Sequence, residues 1–393
     1  MRTERDTTYT QNVDVPVSQR DDFVPSRPDP SGWHIAQKQF VMSAKDQLYM
    51  LCVVACIVLM AIIATVTFAV TADVWTSPVS AKPNTDGPSQ ETQGEVDAPN
   101  IDKGAFADGA EGNVLYGTAD GFKTIGQSDM TATYAAIADV SAGKLVAGLG
   151  EDTRVYPASL TKVMTLVVVV EHIKDEAALQ NQITISQSVV EAMSKEGASG
   201  IGLATGEKLT VESLLYALML QSDGVAACEL AKYVAGTEAA FVALMNQKAA
   251  DMGLTNTHFE NPTGLHHDNH YSSCRDLATL MGYAMNMSLC RKVMTEDYQQ
   301  AICDSPSAGE FPYHIYNNLL ETYFKKYKSL TPAKAGSLTI IAGKTGYTPE
   351  SKYCLVTCAQ GADGKYYVCV TTGASSYEQC IRSYQSLYSK YVG

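Results

Sequence analysis

The sequence predicts an α+β fold, in which an antiparallel sheet flanked by helices lies beside an all-helical subdomain. Two observations lead to this prediction. Strand-like segments with turn signals occur both around residue 134 and after residue 337, and the helical patterns between them form one block. A sheet that takes strands from both ends of the folded region, with helices inserted between them, is a common α+β layout.

The first predicted element is a β-hairpin. Residues 134–139 and 144–147 are apolar and strand-like, and residues 141–143 between them carry turn residues. Residues 159–173 follow as a strongly apolar stretch that opens with polar residues, which predicts a buried helix.

A block of helices is predicted next, because apolar residues recur at helical spacing with no strand signal between the segments. The segments are residues 211–220, 225–234, 239–252 and 274–287.

The end of the chain returns to strands. Residues 337–342 predict a strand that enters a Gly turn, and residues 353–359 and 366–372 flank Asp363–Gly364, a strong hairpin turn signal. A two-residue turn there would place Cys358 opposite Cys369, either as a disulfide or as free packed thiols. Residues 377–391 close the fold as an amphipathic helix.

A membrane anchor is predicted near the N-terminus. Residues 48–70 contain no charge, Pro or Gly, and about 20 apolar residues suffice for a transmembrane helix. The segment is too long and too far from the N-terminus for a typical cleaved signal peptide, so we expect an uncleaved signal anchor. Secretion after cleavage near residues 70–72 is the alternative.

The orientation of this anchor follows from its flanking charges. Three Lys or Arg residues precede it within about 20 residues and one follows, so the positive-inside rule predicts a single-pass protein of the cell membrane with a cytoplasmic N-terminus. The bulk of the chain would be extracytoplasmic. The residues counted are Arg27, Lys38, Lys45 and Lys82.

Composition divides the rest of the chain. Residues 1–47 predict a disordered cytoplasmic tail, residues 71–112 a solvated acidic extracytoplasmic linker, and residues 113–393 one globular domain. The net charge of −13 leaves no Lys or Arg surplus to neutralise phosphates, which argues against a nucleic-acid partner.

Ser159-Leu160-Thr161-Lys162 carries the chemistry of a nucleophile with its own base. Residues three apart share a helix face, so Ser159 and Lys162 can face one cleft. A lysine can take the proton of a serine hydroxyl when its pKa is lowered by burial or by another cation. A second Ser-x-x-Lys, which runs from Ser141 to Lys144, is interpreted as a hairpin turn without chemistry.

Two more triplets bear on the same chemistry. Lys344-Thr345-Gly346 ends the predicted strand and offers an ammonium, a hydroxyl and an unhindered backbone, which suit a peptide carboxylate laid along the strand edge. Ser222-Asp223-Gly224 lies between two predicted helices and by itself indicates only a turn.

In this order and spacing the three motifs resemble those of the active-site serine penicillin-recognising proteins. Within that group the sequence is similar to the D-alanyl-D-alanine carboxypeptidases, the low-molecular-mass penicillin-binding proteins, over residues 134–390. The segments that carry the resemblance are YPASLTKVMT at 156–165, GEKLTV at 206–211, MNQKA at 245–249, FENPTGLH at 259–266 and GKTGYT at 343–348.

The resemblance implies a β-lactamase/transpeptidase-like fold and a serine enzyme that removes the terminal D-Ala from peptidoglycan stem pentapeptides, with β-lactam antibiotics as inhibitors and no metal or other cofactor. The implied roles are nucleophile for Ser159, proton acceptor for Lys162, proton relay for Ser222, carboxylate binding for Lys344 and Thr345 beside Gly346, and an oxyanion hole formed by the backbone N–H groups of Ser159 and Tyr347. A charged Lys344 near Lys162 would keep Lys162 neutral.

One residue departs from the family pattern. Gly224 stands where the family usually has Asn, so we expect a gap filled by water or substrate and an altered rate or specificity. Two other hypotheses stay open. A β-lactamase-like hydrolase is disfavoured, since no Glu-x-x-Leu-Asn segment lies between Ser222 and Lys344. A catalytically weakened, membrane-tethered wall-binding module is the third.

A metal site is not predicted at His266-His267-Asp268-Asn269-His270, despite the two His residues four apart, because Pro262, Gly264 and the Asp-Asn pair indicate a loop.

Overall fold

The computed structural model describes residues 114–317, 319, 334–335 and 337–392. The predicted tail, anchor and linker therefore lie outside the described residues. Within the described part of the chain, no helix combines the length and the apolar character needed to cross a membrane.

The described part of the chain begins with strands, continues with a region made mostly of helices, and ends with strands and one helix. The strands are β1 Gly117–Thr124, β2 Tyr134–Asp139, β3 Lys144–Leu149, β4 Gln182–Thr184, β5 Lys208–Thr210, β6 Tyr298–Ser305, β7 Gly309–Tyr316, β8 Lys334–Ala335, β9 Leu338–Thr348, β10 Lys352–Gln360 and β11 Tyr366–Ala374. The helices are α1 Lys162–His172, α2 Gln187–Lys195, α3 Val211–Leu220, α4 Gly224–Ala235, α5 Glu238–Asp251, α6 Cys274–Asn286, α7 Ser288–Thr295 and α8 Tyr377–Tyr391.

The main sheet takes its strands from both ends of the folded region, as predicted. Its order is β1-β3-β2-β11-β10-β9-β8, and every pair is antiparallel except β1 with β3. Apolar side chains of the two faces enter separate clusters, one against α1 and α6 and the other against α8. Because β2 and β11 are neighbours, the sheet joins sequence segments about 230 residues apart.

The inserted region is not all-helical, which corrects the prediction. β4, β5, β6 and β7 form a second, four-stranded antiparallel sheet. β4 and β5 have three residues each, too short to show a strand period. In β6 the alternation is visible, since Ala301, Cys303 and Ser305 are buried between more exposed neighbours.

The predicted pairing of Cys358 opposite Cys369 is wrong, and of the two alternatives left open the free thiols are correct. The β10–β11 hairpin pairs Cys358 with Val368 and Thr357 with Cys369, because a five-residue loop from Gly361 to Lys365 replaces the expected two-residue turn. A shift of one residue moves a side chain to the other sheet face. Cys358 accordingly packs in the cluster that contains α1, while Cys369 packs in the cluster that contains α8, and both thiols are free.

Candidate active site

Ser159 lies in a tight turn that leads into the central helix. The turn is the 3-10 helix Ala158–Thr161, here called the Ser159 turn, and α1 begins directly after it at Lys162. Ala158 has a φ of 48°, a left-handed conformation that costs a non-glycine residue about 1–3 kcal/mol. The predicted helix over residues 159–173 is therefore correct from Lys162 on, and its first turn is the tighter 3-10 form.

Lys162 is buried within reach of the serine. Its side chain is 3% exposed, and its Nζ lies 3.2 Å from Ser159 Oγ and donates a hydrogen bond to the carbonyl of Thr263 at 2.6 Å. Burial lowers the pKa of Lys162 to about 8, although the carboxylate of Asp223 acts in the opposite direction. A neutral amine in this position can accept the hydroxyl proton of Ser159.

A loop packs against the Ser159 turn and contacts Lys162. We call residues 259–270 the platform loop. Asn261 Oδ1 accepts hydrogen bonds from the backbone N–H groups of Thr263 and Gly264, at 3.1 and 2.8 Å, and Thr165 Oγ1 donates to Pro262 O at 2.7 Å. These contacts fix the Thr263 carbonyl that Lys162 uses.

Gly264 brings the platform loop into direct contact with the Ser159 turn. A Cβ atom at Gly264 would lie 1.9 Å from the carbonyl oxygen of Ala158, and its φ of 82° favours glycine independently. From the sequence, residues 259–266 were identified by their resemblance to the family and by residues that indicate a loop. The Asn-Pro-Thr-Gly turn chemistry was visible, but the partner of the turn was not.

Ser222 and Lys344 form the second half of the site. Ser222 lies between α3 and α4 with a φ of 59°, and Lys344 Nζ donates to Ser222 Oγ and to Thr345 O, both at 2.9 Å. Lys344 is 2% exposed, and its pKa is lowered well below the usual value, chiefly by burial and then by the positive charge of Lys162. The predicted repulsion between the two lysines therefore acts on Lys344, whereas burial is what lowers the pKa of Lys162.

The Lys344-Thr345-Gly346 triplet lies inside a strand, which corrects the prediction of a strand that ends in a Gly turn. β9 continues to Thr348 and stays paired with β10 throughout. A Cβ at Gly346 would lie 3.1 Å from Pro157 O and 3.2 Å from the backbone nitrogen of Ser159. Gly346 thus lets β9 pack directly on the Ser159 turn, and the half-exposed Tyr347 follows it at the edge of the cleft.

The space at Gly224 is not an open gap, contrary to expectation. Gly224 is the first residue of α4, after the N-cap residue Asp223. A Cβ there would lie 2.9 Å from Ala198 Cβ and 3.0 Å from Met193 Sδ. Neighbouring side chains already fill this position, so an Asn would have to displace them.

The histidines of the platform loop and its flank do not gather around one point. Among the described residues no three His, Cys, Asp or Glu side chains are arranged to hold a metal ion. His266 packs edge-on against Tyr156, with 4.7 Å between ring centroids, and His270 is buried against the Ser159 turn. The structure brings the predicted residues together in one cleft, and these are Ser159, Lys162, Ser222, Lys344, Thr345, Gly346 and Tyr347.

Comparison with known proteins agrees with this arrangement. D-alanyl-D-alanine carboxypeptidase DacF of Bacillus subtilis (strain 168) is 32% identical over 237 residues, which are 60% of this chain and 55% of that protein. The D-alanyl-D-alanine carboxypeptidase of Streptomyces sp. (strain K15) is 34% identical over 215 residues, 53% of this chain and 69% of that protein. This chain thus spans only a little over half the length of the Bacillus relative.

A comparison with solved structures identifies the fold. The crystal structure of the Streptomyces K15 DD-transpeptidase superimposes with a TM-score of 0.57 at 29% identity, and covers 66% of this chain and 95% of that one. The predicted transpeptidase-like α+β fold is confirmed. The family model for D-alanyl-D-alanine carboxypeptidase matches residues 122–376, which include every motif of the cleft. The chain belongs to the D-alanyl-D-alanine carboxypeptidase family.

Proposed function

We propose that this protein is a serine D-Ala-D-Ala carboxypeptidase that removes the terminal D-Ala from peptidoglycan stem pentapeptides. The observation that carries the proposal is the pair Ser159 and Lys162. A hydroxyl lies 3.2 Å from a buried amine whose pKa is lowered to about 8, and among the described residues no acidic side chain hydrogen-bonds that amine.

Acylation begins when Ser159 Oγ attacks the carbonyl carbon of the penultimate D-Ala. The hydroxyl proton passes to Lys162 Nζ as the C–O bond forms, and the carbonyl oxygen becomes an oxyanion. The backbone N–H groups of Ser159 and Tyr347 are the proposed donors to this oxygen. The close packing of Gly346 against Ser159 N supports this, because it places both segments at one point of the cleft.

The other half of the cleft binds the leaving residue. The ammonium of Lys344 and the hydroxyl of Thr345 hold the terminal carboxylate, whose negative charge raises the pKa of Lys344 toward its usual value on binding. Ser222 relays the proton that Lys162 accepted to the nitrogen of the leaving D-Ala, which returns Lys162 to its neutral form, and the hydrogen bond of Ser222 to Lys344 supports this role. Collapse of the intermediate breaks the C–N bond and releases D-Ala. Water then hydrolyses the acyl ester through the same oxyanion hole.

We further propose that residues 48–70 anchor the enzyme as a single transmembrane helix, with residues 1–47 in the cytoplasm and residues 71–112 linking the anchor to the catalytic domain, residues 113–393. The uncharged composition of residues 48–70 and the charges that flank them support this proposal. Alkaline extraction of membranes tests it, since an integral anchor keeps the protein in the pellet. Release into the supernatant would favour cleavage near residues 70–72.

The activity is tested with the full-length protein in detergent and two serine variants. We expect D-Ala release from a pentapeptide and stable labelling by a fluorescent penicillin, both abolished in Ser159→Ala. Ser141→Ala is the matched control, because it removes the serine of the other Ser-x-x-Lys sequence, which lies in the exposed turn between β2 and β3. Absence of labelling in the wild type would favour a wall-binding module, and rapid turnover of penicillin a β-lactamase-like hydrolase.

A further inference from the structure

His270 is the only histidine of the platform loop whose side chain is fully buried, and no step above uses it. It is 2% exposed and packs edge-on against Phe259, with ring centroids 5.5 Å apart. The neck of the loop is closed by reciprocal backbone hydrogen bonds between His258 and Tyr271, at 2.9 and 3.0 Å. The ring therefore lies between the platform loop and the Ser159 turn.

The hydrogen bonds of His270 fix its tautomer. Its Nδ1 accepts the backbone N–H of Glu260 at 3.2 Å, so this nitrogen carries no proton. In the neutral ring the proton is then on Nε2, which donates to Thr161 Oγ1 at 2.7 Å. Burial lowers the pKa of His270 to about 3, with the neighbouring histidines and Lys162 acting in the same direction, so the ring is neutral at physiological pH.

Thr161 places this hydrogen bond at the end of the Ser159 turn. It is fully buried, it is the last residue of the turn, and it directly precedes Lys162. The platform loop thus contacts the turn and the first residue of α1 at three points, through Gly264 at Ala158, through His270 at Thr161, and through the Thr263 carbonyl at Lys162. Only the contact of His270 with Thr161 joins two side chains.

We propose that His270 is a positioning residue, whose Nε2–H hydrogen bond to Thr161 sets the separation between Ser159 Oγ and Lys162 Nζ on which proton transfer depends. The inference rests on the proposed function for its chemistry. A neutral imidazole suits this role, since it donates a directed hydrogen bond and adds no positive charge beside Lys162. A displacement of about 1 Å in such a pair can reduce a rate by about a hundredfold.

The test is a double-mutant cycle on the full-length protein. Thr161→Val keeps the side-chain shape and removes the hydroxyl, His270→Leu removes the donor, and a double variant combines them. The rate constant for acylation by labelled penicillin is measured per folded molecule, and thermal unfolding is recorded separately. We expect each single change to lower the acylation rate about tenfold, and the double variant to be no slower than the singles, because both remove one interaction.

Two further variants separate positioning from packing. His270→Gln can offer both a donor and an acceptor, and should recover the rate to within about threefold of wild type. His267→Leu changes an exposed ring of the same loop and should leave the rate unchanged. For the pentapeptide, kcat should fall in Thr161→Val while KM stays constant, since Lys344 and Thr345 are untouched.

The proposal is overturned if folded Thr161→Val and His270→Leu react within twofold of wild type, or if the double variant shows the product of the two single losses. A phosphonofluoridate ester, which modifies reactive serines without recognising D-Ala, is run in parallel. If this ester labels the wild type and penicillin does not, the proposed substrate is rejected. The double-mutant cycle is then evaluated with the rates of labelling by the ester. Labelling by neither reagent would overturn both proposals.

Discussion

The two ends of helix α1 bury lysines in opposite ways. At its start, Lys162 has a serine hydroxyl and a backbone carbonyl as hydrogen-bond partners. Near its end, Glu171 accepts hydrogen bonds from Lys248 Nζ at 2.5 Å and from Tyr283 Oη at 2.6 Å. Lys248 also donates to Tyr283 Oη at 2.7 Å, so the three side chains close a triangle.

The difference separates a reactive group from a structural one. Lys248 lies beside a carboxylate, which compensates its charge. Lys162 has its pKa lowered to about 8 by burial. Its neutral form is therefore accessible near physiological pH, at the cost of an unpaired charge whenever it is protonated. Two lysines buried to a similar degree thus serve different purposes according to their neighbours.

The largest expected effect is on the reactive end. Lys162→Met should lower acylation of Ser159 by labelled penicillin by about 10²–10⁴-fold, because the base is lost. Its free energy of unfolding at pH 7 should stay equal or rise, since a buried unpaired ammonium is removed. Chemical denaturation checks this second part. A marked loss of stability would place Lys162 in the same class as Lys248.

The complementary change is at the other end of α1. Lys248→Met leaves the Glu171 carboxylate buried without its cation and should cost about 3–5 kcal/mol of unfolding free energy. Acylation per folded molecule should change less than about twofold. The double variant Lys248→Met/Glu171→Leu is the control and should recover most of the stability. If acylation fell in step with stability, the two ends of the helix would not be independent.

The pH dependence of acylation sharpens the same comparison. Because burial lowers the pKa of Lys162 to about 8, its neutral fraction falls tenfold for each pH unit below that value. The acylation rate should therefore rise about tenfold per unit from pH 6 to pH 8 and then level off. The double variant at Lys248 and Glu171 should show the same midpoint. A midpoint near the ordinary lysine pKa of 10.5 would contradict the effect of burial.

Sequence reasoning predicted local features better than contacts. The bounds of α3 and α8 were predicted to the residue, since their apolar spacing and capping residues are local signals. The register of the β10–β11 hairpin was missed, because Asp363–Gly364 also fits a five-residue loop. The pairing of Ser159 with Lys162 was predicted from spacing alone.

The contacts that hold the site in place could not be predicted from the sequence. The contacts of Thr263, Gly264 and His270 with the Ser159 turn join segments about 100 residues apart, and nothing local marks them. The filled space at Gly224 has the same origin, since Ala198 and Met193 belong to another segment. Burial and a neighbouring cation were the two causes considered for a lowered pKa of Lys162. The sequence could not choose between them, because burial depends on the packing around α1.

The adjacency of β2 and β11 has a consequence for biosynthesis. The serine leaves the ribosome long before Lys344, and β9 reaches the Ser159 turn only as part of a sheet in which β10 and β11 connect it to β2. Pairing between such distant segments is slow and comes after the closure of long loops. A nascent chain therefore carries its nucleophile for 185 residues of synthesis before the lysine that completes the cleft has been added.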